Sequence, residues 1–395
     1  MDKEILSLNA RKDFKCLGED CPRDCCHGWD WIDIDNNTVK KWKTESDQKN
    51  YEYLLQFLDS TDPKAPVIQY KDGSCIALNN NGLCDIQLKH GHDYLPEICR
   101  EFPRLNFENP YRNYISASLA CPDILESTLF SDSSELFDVT KKETDINYAG
   151  TEQELLYIFD ILLSEVLDET DYKIGIQLFF ISDMFSDLIK ANNQNAISLH
   201  DLQGVRNDVS NYLAEIRKAN KNGKISPNQV TSGSFWNTVY GYCKNSSIDT
   251  RFLEDETGEL NRHINQSDNT PSGYGKIYSV VKKYKKNSHK HMKQKFDNIF
   301  RKYLKLLFIN KGFPLSAKPS LDIILVDCMI VVSILQLLVW IEINKNGKID
   351  DAFLKECITE VERKFVLSNT VITALEKDPH MLQIEKYCNT FLDIF

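Results

Sequence analysis

The chain lacks an apolar leader. Asp2, Lys3 and Glu4 are charged, and no apolar run of signal-peptide length follows them, so a cytoplasmic protein is expected rather than an exported one. It lacks internal repeats and low-complexity tracts, which excludes solenoids, propellers and compositionally biased tails. It lacks a persuasive phosphate loop. Ser272-Gly273-Tyr274-Gly275-Lys276 holds two glycines but follows no clear strand, and it reads as a turn. Strands do not alternate with helices, so a Rossmann fold is disfavoured. The C-x3-C-x2-C spacing of a common class of radical enzymes is also missing. Cys21 and Cys25 give its first interval, but Gly28 stands where its third cysteine belongs.

Of 395 residues, 42% are apolar and 27% charged, with a formal net charge of −11. That is ordinary globular composition, long enough for two to three domains at roughly 150 residues each. Cysteine is what stands out. Cys16, Cys21, Cys25, Cys26, Cys75, Cys84, Cys99 and Cys121 crowd the first 121 residues, while Cys243, Cys328, Cys357 and Cys388 are scattered. Scattered cysteines behave as small buried apolar residues; a dense block needs a chemical reason. In a cytosolic chain that reason is expected to be metal. Disulfides, which need an oxidising compartment, and inert buried thiols are the alternatives.

The pattern along the chain predicts a mainly α protein. A small cysteine-rich α+β metal module (residues 1–125) precedes a helical domain (126–395). In the module, Ile32 to Asp35 alternates as a short strand does, and Asn36-Asn37-Thr38 offers helix N-cap chemistry. Val67–Tyr70 and Cys75–Leu78 read as a hairpin, with a second tight turn at Asn79–Gly82. Cys75 and Cys84 would then flank neighbouring turns. Apolar spacing predicts helices over 152–167, 172–190, 198–220, 290–309, 319–343, 346–366 and 368–394. Residues 221–275, rich in Asn, Ser, Gly and Asp, read as a long irregular connection with short helices. Ile323–Ile341 approaches the length of a membrane span. Asp327 inside it and Asp322 and Glu342 at its borders are costly in lipid, so a helix buried in a bundle is expected and no membrane span.

Thiolates hold zinc or iron–sulfur groups when sulfurs converge from separate loops. Eight thiols allow one four-iron cluster, two separate metal sites, or a two-zinc cluster with bridging sulfurs. Side chains of neighbours such as Cys25 and Cys26 diverge in most backbone conformations, so the two would serve different metals or only one would ligate. His27, His90 and His92 are substitute ligands or, more plainly, surface residues. Arg100 and Arg104 could bind a carboxylate, neutralise a thiolate cluster, or form surface ion pairs. Asp30, Asp33 and Asp35 could attract a cationic substrate or form a solvated strand face. Lys276 to Lys305 holds eleven Lys or Arg against Asp297 alone. This basic segment at 276–305, with Tyr278, Tyr284 and Tyr303 interleaved, reads as a solvated helix face; protein docking and, less readily, nucleic-acid binding are the alternatives.

The order of residues resembles a known family. Cys25-Cys26-His27-Gly28-Trp29 and Ile34-Asp35-x-x-Thr38 are similar to the N-terminal signature of the flagellin lysine-N-methylases. So are Cys75-x-x-Leu78, Gly82-Leu83-Cys84-Asp85-Ile86-Gln87, the run Leu95-Pro96-Glu97-Ile98-Cys99-Arg100-x-Phe102-Pro103-Arg104, and Ser118-Leu119-Ala120-Cys121-Pro122-Asp123. The middle portion also resembles the YkgJ-type zinc- or iron-chelating domain, and Phe296 to Leu304 is a fainter echo of the family's helical half. Phe102 stands where the family usually has Tyr. The resemblance implies methyl transfer from S-adenosylmethionine to lysine side chains of flagellin in the cytoplasm. It also implies an iron–sulfur or similar metal centre held by the cysteines. A 4Fe-4S cluster is expected ahead of zinc, and Arg100 and Arg104, close after Cys99, are candidates for holding the cofactor by its carboxylate. The alternative is a non-catalytic zinc- or iron-binding interaction or redox protein. Flagellin or another protein is the expected partner; nucleic acid is not.

Overall fold

The computed structural model describes residues 3–392 apart from positions 13, 23–24, 28–31, 50–51, 60–65, 72–73, 110, 134, 144–151, 170, 193–198, 247, 249, 254–258, 267–268, 289–293, 313–319 and 378–383. The first part runs β1 (Lys3–Leu8), α1 (Asn9–Lys12), β2 (Ile32–Asp33), α2 (Asn36–Lys49), α3 (Glu52–Leu55), β3 (Leu58–Asp59), β4 (Val67–Ile68), β5 (Tyr70–Lys71) and β6 (Ser74–Cys75). It continues through α4 (Asp85–His90), α5 (Glu97–Glu101), β7 (Arg104–Glu108), β8 (Arg112–Ala117), α6 (Pro122–Leu129) and β9 (Phe137–Lys142). Short 3-10 turns cover Gly18–Asp20, Cys25–His27 and His92–Tyr94.

A four-stranded sheet, unforeseen from the sequence, frames this part in the order β7-β8-β1-β9. β1 is parallel to β8, antiparallel to β9, and β7–β8 is an antiparallel hairpin. Arg112 of β8 fixes the register chemically. Its guanidinium meets Glu4 of β1 and lies 2.6 Å from the buried Asp160 carboxylate, to which Tyr114 also donates. A smaller antiparallel sheet, β2-β4-β3, and the β5–β6 hairpin enclose a separate small core of Ile32, Trp42, Leu54, Ile68, Ile86 and Leu95. The hairpin is shorter than expected, because Ile76 and Ala77 already turn. The expected N-cap of α2 also shifts. Asp35, not Asn36–Thr38, caps it, accepting from the Thr38 N–H at 2.9 Å and the Thr38 hydroxyl at 2.6 Å.

The remainder is helical: α7 (Glu152–Asp168), α8 (Ile174–Asn192), α9 (Leu199–Lys221), α10 (Gln229–Asn245), α11 (Glu259–Asn265), α12 (Pro271–Ser288) and α13 (Gln294–Asn310). Then come α14 (Leu321–Asn346), α15 (Asp351–Val361), a π-helical turn at Glu362–Leu367, α16 (Thr370–Lys377) and α17 (Ile384–Phe391). The fold is mainly α. Two expectations are corrected. Residues 221–275 are no irregular connection: α10 is a full 17-residue helix, capped by Asn228, which accepts from the N–H groups of Val230 and Thr231. Ser272-Gly273-Tyr274-Gly275-Lys276 is not a turn but the start of α12. Gly233 is the reason both sit here, since α10 and α12 approach so closely that its Cβ would fall 1.9 Å from the Tyr274 carbonyl oxygen.

By length and composition α14 would cross a membrane, yet 94% of its most apolar window is buried inside the protein. Its Asp327 pairs with the equally buried Lys311 at 2.9 Å, and Lys311 also donates to the Phe365 and Val366 carbonyls. Those carbonyls belong to the π-helical turn, whose ladder is shifted. The large helical core also takes in Leu8, Ala117, Leu119, Ile124 and Leu125. The expected division near residue 125 thus falls inside α6, and the four-stranded sheet joins strands from both sides of it.

Candidate metal centre

Separate local devices present each thiol. Gly18 turns the chain with φ of +58°, and its N–H reaches back to Cys16 Sγ at 3.4 Å, so Cys16 and Cys21 flank one turn. Cys25 and Cys26 share a 3-10 turn, which Tyr70 anchors by donating its hydroxyl to the Cys26 carbonyl at 2.8 Å. Cys75 ends β6. Cys84 bridges to Leu78 across a turn closed by the Asn79 side chain and by Gly82 at φ +74°. Cys99 lies on α5. Cys84 and Cys121 stand just before α4 and α6, where the first backbone N–H groups of each helix face the sulfur.

These devices bring all eight N-terminal cysteines to two adjoining cavities. The larger, about 410 Å³, is lined by every one of them except Cys75; the smaller, about 60 Å³, by Cys25, Cys26, Cys75, Cys84 and Cys99. All twelve cysteines are free thiols, and Cys243, Cys328, Cys357 and Cys388 are buried in the helical core.

The thiols feel one another. Hydrogen bonding with Cys25 and Cys75, then burial, push the Cys26 thiol far up. Burial, followed by the charge that Cys25, Cys75 and Cys84 would carry, does the same to Cys99. Burial raises Cys84, and it raises Cys121 to about 11, with Cys21 as a further repulsive neighbour and the Ile124 and Asp123 N–H groups opposing. So Cys25, Cys26, Cys75, Cys84 and Cys99 form one mutually repelling set, and Cys21 faces Cys121 separately. Ionising such a set demands positive charge among the sulfurs, and soft thiolates are suited to zinc or iron–sulfur groups. The donor chemistry fits a metal. Among the described residues, no three Cys, His, Asp or Glu side chains are already gathered tightly enough to hold one ion.

The other candidates divide. Arg100 and Arg104 both line the larger cavity; Arg100 donates to the Leu95 carbonyl at 3.2 Å, and Arg104 lies over the Phe14 ring at 5.7 Å. His92 lines the cavity, whereas His90 packs 5.1 Å from the Tyr94 ring. Burial pushes the Asp35 carboxyl up, but hydrogen bonds from Thr38 and Glu97 outweigh it and leave Asp35 below its ordinary value. It is a structural cap. Asp33 is exposed on β2, and Asp30, Gly28, Trp29 and the His27 side chain lie outside the described residues. The described part of the basic segment falls on α12 and α13, where some cations have protein partners: Lys283 with Glu259, Lys305 with Asp168, Lys302 with the Ser131 carbonyl. Sequence reasoning missed Lys15 and Arg363, which also line the cavity. Arg363 comes from the π-helical turn of the helical half, and no local sequence signal marks it.

Three relatives share part of this chain. The lysine-N-methylase of Salmonella typhimurium is 32% identical over 164 residues, covering 38% of this chain and 39% of that protein. The lysine-N-methylase of Salmonella choleraesuis gives the same figures. The flagellar biosynthetic protein FliU of Salmonella muenchen is 35% identical over 127 residues, 29% of this chain and 71% of that protein. The chain thus spans about two fifths of the length of the lysine-N-methylases it matches. No family model and no solved structure matches it.

Proposed function

The chain belongs to the flagellin lysine-N-methylase family, and from that premise we propose that it transfers methyl groups from S-adenosylmethionine to lysine side chains of flagellin in the cytoplasm. The observation that supports this reading best is the cavity of about 410 Å³ that seven thiols and three arginines line, the thiols, Arg100 and Arg104 coming from the cysteine-rich part. In displacement chemistry the lysine nitrogen forms a bond to the methyl carbon as the carbon–sulfur bond breaks. The thioether leaves, and the lysine proton goes to solvent. Free lysine has a pKa of about 10.4, so the site must favour the neutral amine. Phe14, Leu17, Leu83, Leu95 and Phe102 line the cavity, and such a wall disfavours the ammonium form by desolvation. It also excludes water and orients the two reactants, which supplies much of the acceleration in such reactions.

Cys25, Cys26, Cys75, Cys84 and Cys99 would hold the metal centre, an iron–sulfur cluster ahead of zinc, with Cys16, Cys21 and Cys121 beside it. Such a group, when bound, supplies the positive charge that keeps sulfurs ionised and a Lewis-acidic or redox centre next to the cofactor. The test uses full-length protein purified without oxygen, labelled S-adenosylmethionine and co-expressed flagellin. Label is expected on flagellin lysines, lost in Cys26→Ser and Cys99→Ser, with iron and sulfide found in the protein. Metal-loaded protein that neither binds the donor nor transfers label would sink the methylase reading and leave a thiol-rich binding protein. Zinc alone would replace the iron–sulfur assignment.

A further inference from the structure

All eight N-terminal cysteines come from residues 16–121, but the larger cavity, which seven of them line, is not built from that part alone. Arg363, delivered by the π-helical turn after α15, lines it from the helical half and is only 4% exposed. Its environment is rich in cations. Lys15, Arg100 and Arg104 line the same cavity, against Asp123 as the acid. Arg100 and Arg104 already spend contacts on the Leu95 carbonyl and the Phe14 ring. A guanidinium carries five N–H donors in a fixed fork, so even one with a protein partner can grip a planar carboxylate with two parallel bonds. Desolvation makes such a grip stronger.

We infer that Arg363 fixes the α-carboxylate of the sulfonium methyl donor in the thiol cavity. This rests on the methyl-donor reading above and deepens it. The donor has an adenosine end, a sulfonium and an amino-acid end. A cavity of about 410 Å³ lies in the range that encloses a molecule of this class. The assignment gives the helical half a direct part in the site: it supplies the anion anchor while the N-terminal part supplies the thiols.

The experiment measures binding by calorimetry on full-length, metal-loaded protein, with S-adenosylhomocysteine and its decarboxylated counterpart as probes. Wild type is expected to bind the carboxylate-bearing probe at least about tenfold tighter, the typical worth of a charge-assisted pair. Arg363→Met should bring that ratio to about one, and Arg363→Lys should keep part of it. Metal content, absorption spectrum and unfolding temperature are followed in each variant. A wild-type ratio of one overturns the inference while the donor reading stands, and needs no variant that might misfold. A ratio unchanged in Arg363→Met overturns it too; if the absorption spectrum alone changes, Arg363 serves the thiolate group instead. If wild type binds neither probe, the donor reading falls and takes this inference with it.

Discussion

Glu362, next to Arg363 in the chain, is buried. Burial pushes its carboxyl up to about 7, against the opposing pull of Lys311, the Tyr303 hydroxyl and the Leu119 N–H. An acid raised in the folded state favours folding where it is protonated. The effect is fully present below the unfolded value near 4.5 and is lost as pH rises through 7. The span corresponds to about 3 kcal/mol. Glu362→Gln is therefore expected to match wild type in urea unfolding at pH 4.5 and to exceed it by up to about 3 kcal/mol at pH 8. A pH-independent difference would show that folding leaves the Glu362 carboxyl at its ordinary value. Neither Glu362 nor Arg363 is legible in the sequence, where they are one acid and one arginine among many; their place follows from how α15 packs against α6. The cysteines are legible because a dense thiol block has few chemical explanations. Asp35 misleads for the opposite reason, since an acid beside a strand fits a substrate-facing role as well as a cap.

At the level of elements, α10 and α12 carry the clearest lesson. Asn, Ser and Gly in 221–275 suggest irregular chain, yet Phe235, Trp236, Val239, Tyr240 and Cys243 are buried at helical spacing along α10, and that stripe is the signal to weigh. Composition misleads because Gly233 is there for contact, not for flexibility. Gly233→Ala would drive its Cβ into the Tyr274 backbone, which cannot rotate away. The expected cost is about 1–3 kcal/mol or more, seen as a drop of several degrees in thermal unfolding. Gly241→Ala on the same helix meets nothing within 4 Å and should be neutral or stabilising by up to about 1 kcal/mol. Equal effects of the two would mean that the helices do not touch at Gly233. The strands β1 and β9 escape sequence reading because each is one short segment whose partners lie more than 100 residues away in the chain.

Across the whole molecule, the cysteine-rich part has only a small core of its own, and its sheet and α6 lean on the helices. A fragment ending at residue 125 would lose β9, leave Leu119, Ile124 and Leu125 uncovered, and strip Arg112 of the Asp160 carboxylate. Such a fragment is expected to bind a hydrophobic dye and to unfold without a cooperative transition. A sharp transition would show that residues 1–125 are self-sufficient. The position of Arg363 also sets an order of events in biosynthesis. Some 240 residues separate it from Cys121, and at about 5–20 residues per second a ribosome needs on the order of tens of seconds to cover them. For that interval the nascent thiols are outside the exit tunnel with one wall of their cavity still unmade. Any group that the thiols bound in that interval would be in place before Arg363 arrives.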